Sequence, residues 1–552
     1  MSERDEVDAT PPPDLLDRLS AGAPFLAILG SAMLLRFLLA YVAYPGQGYA
    51  TDMGQFESWA SVLAGHGPGA FYQQSGANYP PGYMYVLWFL GVLGGPLGSI
   101  AGISSGDATL QLLKLPPMLA DAAIGVLLYR AGSSWFGRNA GLVAAALFLF
   151  LPMTWYDSAL WGQVDSVGSL LMLAALLALA DGWSEAAMAL GVAGVLVKPQ
   201  DAVCLVVIVP VLLRRHLLRM GSGPVPALGI RLAALNVRMG GALTIQGPVR
   251  LVSTLAVGAV VGIVPILPFD IQTFASPDLK GNLIVGHVAG LAGLFSSVSG
   301  QFSVLTANAF NAWSLVGSTP LAAGARSGGS WTTDSLPLVF GLSAFQLGTG
   351  LLVLVGLIVA TGLLVRDDRR AILLGFCVAA FAFYAVPTRV HERYLFALWP
   401  AGALLACSYG AAVAAYVATA LLNTVNLHAV LGSPNAIGGM FGGGVGGFGG
   451  GPGGSPGLGG DFGGGIGFGG FGGSSGNASS ISLPYTDIAR SEPAVIAAAA
   501  GQTAAFVALF VVWIAYAYRP LVSAARRGCY PGDADGAESA GRADPIRSQP
   551  TN

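Results

Sequence analysis

Asp52 lies just past the first long apolar stretch, within Thr51-Asp52-Met53-Gly54-Gln55-Phe56-Glu57-Ser58-Trp59, in a chain of which only 10% is charged. A charge at the mouth of a membrane helix is unremarkable in itself, but this one heads a polar, aromatic segment and is placed for chemistry at a membrane surface, such as taking a proton from an attacking hydroxyl. Other ionisable groups recur at the edges of apolar runs. Lys114 begins a run that contains Asp121, Asp157 and Asp165 fall in the polar tract Trp155 to Ser166, and Lys198 sits in Val197-Lys198-Pro199-Gln200-Asp201. Arg389, His391, Glu392 and Arg393 fill one short polar gap. Any single Lys or Arg near a helix end is accounted for by an ion pair or by snorkelling to the interface. Several of them gathered near a carboxylate ask for a shared anion, and phosphate is the natural one. The chemistry such a set supports is proton abstraction beside a developing phosphate charge.

The elements that must position these groups follow from composition. Hydrophobic residues make up 54% of 552 positions and the mean hydropathy is +0.66, whereas soluble domains carry roughly 25% charged residues. The expected class is an all-α polytopic membrane protein without a large soluble domain, because only helices can satisfy their backbone groups inside hydrocarbon over runs of this length. A net charge of -2 and the lack of a basic stripe argue against nucleic acid as a partner. Cys204, Cys377, Cys407 and Cys529 are scattered and have neither disulfide-framework nor zinc spacing. The polar N-terminus lacks the basic start of a cleaved signal, so the span that follows is expected to remain as an anchor.

Basic groups set the orientation. Arg130 with Arg138, the arginines between positions 214 and 250, and Arg366 with Arg369 and Arg370 mark the cytoplasmic face by the positive-inside rule. Asp52, the 155–166 tract, Lys198 and His391 then fall outside, provided that the glycine-interrupted run 83–99 is an interfacial or re-entrant helix. The run after Tyr394 is long enough for one tilted span or two, and two bring the total to about twelve crossings. The expected organisation is a polar cytoplasmic tail (1–21), an N-terminal transmembrane module (22–268), a long external region (269–340), a C-terminal transmembrane region (341–427), a glycine-rich linker (428–494), a final helix (495–518) and a polar tail (519–552). Glycine from Gly438 to Gly476 maximises backbone entropy and offers little to pack, so that tract reads as a disordered external linker. Arg36, inside the first span, must either pair with a carboxylate or approach the surface.

Five tracts in order carry a resemblance. They are Thr51-Asp52, Asn78-Tyr79-Pro80-Pro81-Gly82, Trp161-Gly162-Gln163-Val164-Asp165-Ser166, Val197-Lys198-Pro199-Gln200, and Val390-His391-Glu392-Arg393-Tyr394-Leu395-Phe396. Together they resemble the GT-C superfamily of multispanning glycosyltransferases over about residues 20 to 425, and within it the bacterial polyprenyl-phosphate-sugar-dependent enzymes and the glucosyltransferases that extend the lipid-linked N-glycan precursor. The resemblance implies a GT-C-like fold and places the catalytic acid on Asp52. A His-Glu-Lys-His pattern of those glucosyltransferases aligns with His391, Glu392, Arg393 and Tyr394, and the last two positions depart from it. Arg393 keeps a cation, but Tyr394 cannot replace imidazole proton chemistry.

The expected reaction is transfer of a hexose, mannose or glucose, from a polyprenyl phosphate sugar to an acceptor hydroxyl of a glycan, lipid or protein, at the external face of the plasma or inner membrane. Asp52 is the expected base, and direct displacement inverts the anomeric carbon; a retaining route needs a separate nucleophile such as Asp157 or Asp165. Arg393 and Lys198, with Arg389 and Lys114, are expected at the phosphate, and His391 at the phosphate or the acceptor. Glu57, Tyr79, Asp157, Gln163, Asp165 and Glu392 complete the expected substrate-binding set. Trp59, Tyr79 and Tyr83 would shape a sugar pocket or serve as interfacial aromatics. No metal is expected to be required, since cations already face the phosphate and the acids lack diagnostic ligand spacing; magnesium or manganese is the alternative. A lipid-linked oligosaccharide ligase and a secondary transporter are the competing readings.

Overall fold

A computed structural model of the protein describes residues 15–220, 223–300, 302–316, 330–335, 337–432 and 479–528. The glycine-rich tract Gly438 to Gly476, most of the N-terminal tail and the end of the C-terminal tail lie outside the described residues. The chain is a polytopic helical membrane protein. Seven helices are long and apolar enough to cross a bilayer among the described residues, and the pair Arg138–Phe150 and Pro152–Trp161, bent by 51°, makes an eighth if it is one span. The remaining apolar runs form shorter helices, including Asp165–Ala180, Ser184–Val197, Val285–Gly300 and Tyr394–Ala406. Counting about twelve crossings treats such runs as full spans. Helices of at most 16 residues reach only about 24 Å, short of the roughly 30 Å of hydrocarbon.

The site is organised by ten helices: α1 (Leu15–Phe37), α2 (Ala50–His66), α3 (Pro81–Ala101), α4 (Ser105–Leu112), α5 (Leu115–Phe136), α6 (Asp165–Ala180), α7 (Ser184–Val197), α8 (Arg369–Ala385), α9 (Gly410–Leu431) and α10 (Glu492–Ala517). α3 is long enough for a crossing and α4 packs back against it, α4 and α5 together (Ser105–Phe136) forming another of the seven candidate spans. A Cβ on Gly91 would lie 2.2 Å from the Ala60 carbonyl oxygen of α2, and one on Gly94 would lie 2.1 Å from Thr109 Oγ1 of α4, so glycine lets the three helices touch. The hairpin starts at Gly82, against Leu196, and returns to Lys114, against Gly162. Both of its ends therefore lie at one end of the bundle. The run 394–427 is broken at Cys407, and its halves fold against each other, with Tyr416 Oη donating to the Trp399 carbonyl at 3.0 Å.

A main core joins α5, α6 and α8 to Trp161, Trp399 and Trp513. A second cluster holds Phe56, Trp59 and Tyr83 of the α2–α3 layer with Phe71 and Phe269. Trp59 and Tyr83 are 4% and 1% exposed, so they pack this layer and do not line an open pocket. The two ends of the bundle differ in what they carry. Arg214 and Arg215 share Asp367, Arg250 pairs with Glu185, and Arg369 pairs with Asp181. Those ion pairs lie at the ends of α6, α7 and α8 remote from Asp165, Lys198 and the 388–393 turn.

Candidate active site

Local sequence explains how each group is presented. Asp52 falls in the first turn of α2, where the positive end of the helix favours a carboxylate. Asp165 opens α6 in the same way. Pro199 ends α7, and Lys198 ahead of it is extended (φ -145°, ψ 140°), as a residue before proline prefers, so its side chain leaves the helix direction. Gly162 takes φ +84° and closes the turn after Trp161, with the Asp157 carbonyl accepting from Gly162 N and Gln163 N at 3.1 and 3.0 Å. This tight turn aims Trp161, Gln163 and Asp165 toward α2.

Asp52 is held through a single oxygen. Its Oδ2 accepts from Trp161 Nε1 at 2.8 Å and Gln163 Nε2 at 2.5 Å, with the Arg393 guanidinium 3.6 Å away. Oδ1 takes no hydrogen bond among the described residues. Gln163 bridges to the next group, since its Oε1 accepts from Lys198 Nζ at 3.1 Å. Lys198 also pairs with Asp165 at 2.8 Å and lies 5.4 Å from the Tyr79 ring centre. Burial is the largest single influence and opposes the lysine charge, but the charge and hydrogen bond of Asp165 together with Tyr79 outweigh it and hold Lys198 above its ordinary value. Arg393 hydrogen-bonds Glu392 at 2.8 Å, approaches Asp165 at 3.8 Å and lies over Trp161.

The structure brings Asp52, Tyr79, Gln163, Asp165, Lys198, Glu392 and Arg393 together, and Lys114 lies against Gly162 beside them. It places Arg389 and Glu57 apart, and His391 at the edge of the site with its Nδ1 3.9 Å from Glu392 Oε2. Arg389, expected at the phosphate, is engaged by Asp334 at 2.6 Å, by the Ser299 carbonyl at 2.7 Å and by the Phe345 face at 4.0 Å. Its backbone is left-handed, with φ +68°. Glu57 lies further along α2 against Gly106 of α4, where burial and then the Asp107 charge raise its carboxyl. His391 packs edge-on to Phe302 and beside Tyr394. Burial, then Arg393 and Lys198, push it well below the ordinary imidazole range, so it is neutral.

Several buried polar atoms here have no hydrogen-bond partner. They are Lys114 Nζ and Arg393 Nε among donors, and both Asp157 oxygens, Asp165 Oδ2, Asp201 Oδ2 and Glu392 Oε2 among acceptors. Buried polar groups are ordinarily bonded, so each of these exceptions calls for a partner, whether a ligand, an ion or an ordered water. Glu392 is raised by burial against the opposing pull of Arg393, and Asp201 is raised well above the carboxylate range by burial and then by Asp165. Among the described residues no three His, Cys, Asp or Glu side chains are arranged to hold a metal ion.

The acid-bearing turn is anchored inside the bundle. Arg36 pairs with Asp121 at 2.8 Å and donates to the Leu149 carbonyl at 2.8 Å and to Thr154 Oγ1 at 3.1 Å. Of its two options, Arg36 therefore takes the buried pair. Asp121 accepts from Ser158 and Ser166, both at 2.6 Å, which flank Asp157 and Asp165. The roles of Trp161, Asp201 and Asp334 escape sequence reasoning. Trp161 lay inside a motif tract, but nothing in that tract says its indole meets Asp52.

No protein-family model and no curated protein matches the sequence. Among solved structures the chain is similar to ArnT from Cupriavidus metallidurans bound to undecaprenyl phosphate, with 13% identity, 92% of this chain and 79% of that chain covered, and a TM-score of 0.38. It is also similar to the archaeal oligosaccharyltransferase AglB from Archaeoglobus fulgidus in complex with an inhibitory peptide and a dolichol-phosphate, with 14% identity, 74% and 51% coverage, and a TM-score of 0.34. The match spans about half the length of that oligosaccharyltransferase.

Proposed function

We propose that this protein is an integral-membrane glycosyltransferase that moves a hexose, mannose or glucose, from a polyprenyl phosphate sugar to an acceptor hydroxyl on the extracytoplasmic face, with inversion. The observation that carries the reading is the set of unpartnered buried donors and acceptors around Asp52. A sugar phosphate supplies what both kinds lack. Its phosphate oxygens accept from Lys114 Nζ and from the guanidinium N–H groups of Arg393, and its sugar hydroxyls hydrogen-bond the unpartnered carboxyl oxygens. The membrane helices on which these groups sit give the polyprenyl tail an apolar place beside its headgroup. The extracytoplasmic assignment follows from the positive-inside rule, since the arginine-rich end of the bundle is opposite this one.

In the reaction, Asp52 Oδ1 takes the acceptor hydroxyl proton while Oδ2 stays fixed by Trp161 and Gln163. The acceptor oxygen bonds to the anomeric carbon from the face opposite the phosphate. The bond from that carbon to the phosphate oxygen breaks, and polyprenyl phosphate departs with the electron pair. Lys114, Lys198 and Arg393 stabilise the charge it gains. Lys198 and Arg393 are the cations that face that charge, and the proposed step proceeds without a metal.

Purified protein in proteoliposomes, given defined polyprenyl phosphate sugars and a hydroxyl acceptor, tests the reading. The expected result is transfer of one hexose with inverted configuration, unchanged after exhaustive chelation. Transfer only of long lipid-linked glycans would make the protein an oligosaccharide ligase. Substrate movement across the bilayer without transfer would make it a transporter, and rescue of a chelated enzyme by magnesium or manganese would overturn metal independence.

A further inference from the structure

Asn423 and Asn426 are separated by three positions on α9, so they share a helix face, and they are 1% and 0% exposed. Amides buried in an apolar helix cost free energy unless they bond. These two bond segments that wall the site. Asn423 Nδ2 donates to the Glu392 carbonyl at 3.2 Å. Asn426 Nδ2 donates to the Asn308 carbonyl at 2.8 Å, and its Oδ1 accepts from Phe310 N and Tyr384 Oη, both at 3.0 Å. Gln502 of α10, with its amide turned to suit its neighbours, donates to Tyr384 Oη at 2.7 Å and to the Phe310 carbonyl at 3.2 Å.

The segment gripped by Asn426 in turn carries the arginine turn. Ala307 N and Ala309 N donate to the Val390 carbonyl at 2.9 and 3.3 Å, and Arg389 N donates to the Val304 carbonyl at 3.1 Å. Between those contacts Asn308 is left-handed at φ +73°, a conformation asparagine tolerates better than most residues. Val390 is thus held through 307–309 by Asn426, and Glu392 is held directly by Asn423. Arg393 follows immediately.

We propose that Asn423 and Asn426 are positioning residues that act through the 390–392 backbone to set the direction of the Arg393 guanidinium toward the donor phosphate. This rests on the reading of Arg393 as a phosphate ligand. Neutral amides suit the task because they grip carbonyl and N–H groups, and they do so without adding a charge that would compete with the phosphate for Arg393.

Full-length protein in detergent, titrated with farnesyl phosphate as a short polyprenyl phosphate, tests the inference in wild type, Asn423→Ala, Arg393→Ala and the double variant, with folding followed by thermal unfolding. Loss of one hydrogen bond acting through Arg393 is expected to weaken binding about fivefold to tenfold. The double variant should bind no more weakly than Arg393→Ala alone, because the two losses share one path. Asn423→Ser, which keeps a shorter donor, is expected to fall between wild type and Asn423→Ala and decides the matter if the alanine variant does not fold. Full affinity in a folded Asn423 variant, or losses that add in the double variant, would overturn the proposal. Unchanged affinity in Arg393→Ala would remove Arg393 from the phosphate site, and the positioning role would fall with it.

Discussion

Residues 154–166 and residues 388–393 meet where Arg393 approaches Asp52 and Asp165, yet each is anchored from within the bundle by a different kind of group. The acid-bearing turn is gripped through two serine hydroxyls by Asp121, and Arg36 compensates the charge of that carboxylate. The arginine-bearing turn is gripped through its backbone by neutral asparagines. Each anchor matches what it holds, since a hydroxyl donor wants a strong acceptor, whereas a backbone segment presents both donors and acceptors and an amide answers both. The difference lies in what happens when one member is lost. Removing half of an ion pair strands a charge, but removing an amide strands only dipoles.

The largest expected effect breaks the charged anchor. Arg36→Met should destabilise the folded protein by about 3–5 kcal/mol because Asp121 remains buried and unpaired, and adding Asp121→Leu should recover much of that loss. Denaturant unfolding in detergent measures both, and a single variant as stable as wild type would show that the two anchors are not different in kind. Next comes the acid that the first anchor helps to frame. Asp52→Asn keeps an oxygen for Trp161 and Gln163 but loses the base, so turnover should fall at least about 10²-fold with phosphate binding retained; near-normal turnover in a folded variant removes Asp52 from that role.

Smaller effects belong to the neutral anchor. Asn426→Leu loses three hydrogen bonds and should cost about 2 kcal/mol of stability in the same unfolding assay, below Arg36→Met. A loss as large as that of Arg36→Met would erase the distinction. The smallest expectation concerns pH. His391 is held neutral in the fold, whereas unfolded it binds a proton near about pH 6.5. The stability it contributes is therefore present above that pH and lost progressively as pH falls below it toward the depressed folded value. His391→Leu should flatten this acid limb of the thermal unfolding midpoint, and an unchanged limb would assign it to other groups.

How much of the site was legible varies with how local its cause is. Lys198 before Pro199 and Asp165 at a helix start are read directly, because dihedral preference and helix polarity act over a few residues. Asn423 and Asn426 left a visible signal as polar residues in an apolar run, but nothing in the run says what they bond. Sequence alone places Arg393 ahead of Arg389 at the phosphate, and the fold gives the physical reason. Asp334 engages the first, while the second lies among Asp52, Asp165 and Glu392.

Composition and charge distribution by themselves determined that this is a membrane-embedded helical chain with ionisable groups gathered at one end, because hydrocarbon admits little else. They also singled out Asp52. The tertiary structure alone decided that one Asp52 oxygen is pinned and the other free, that Arg36 takes Asp121, and that the polar α9 face reaches the arginine turn. Those outcomes depend on distances of a few ångströms between residues far apart in the chain, over which hydrogen bonds form or fail and which no local pattern encodes.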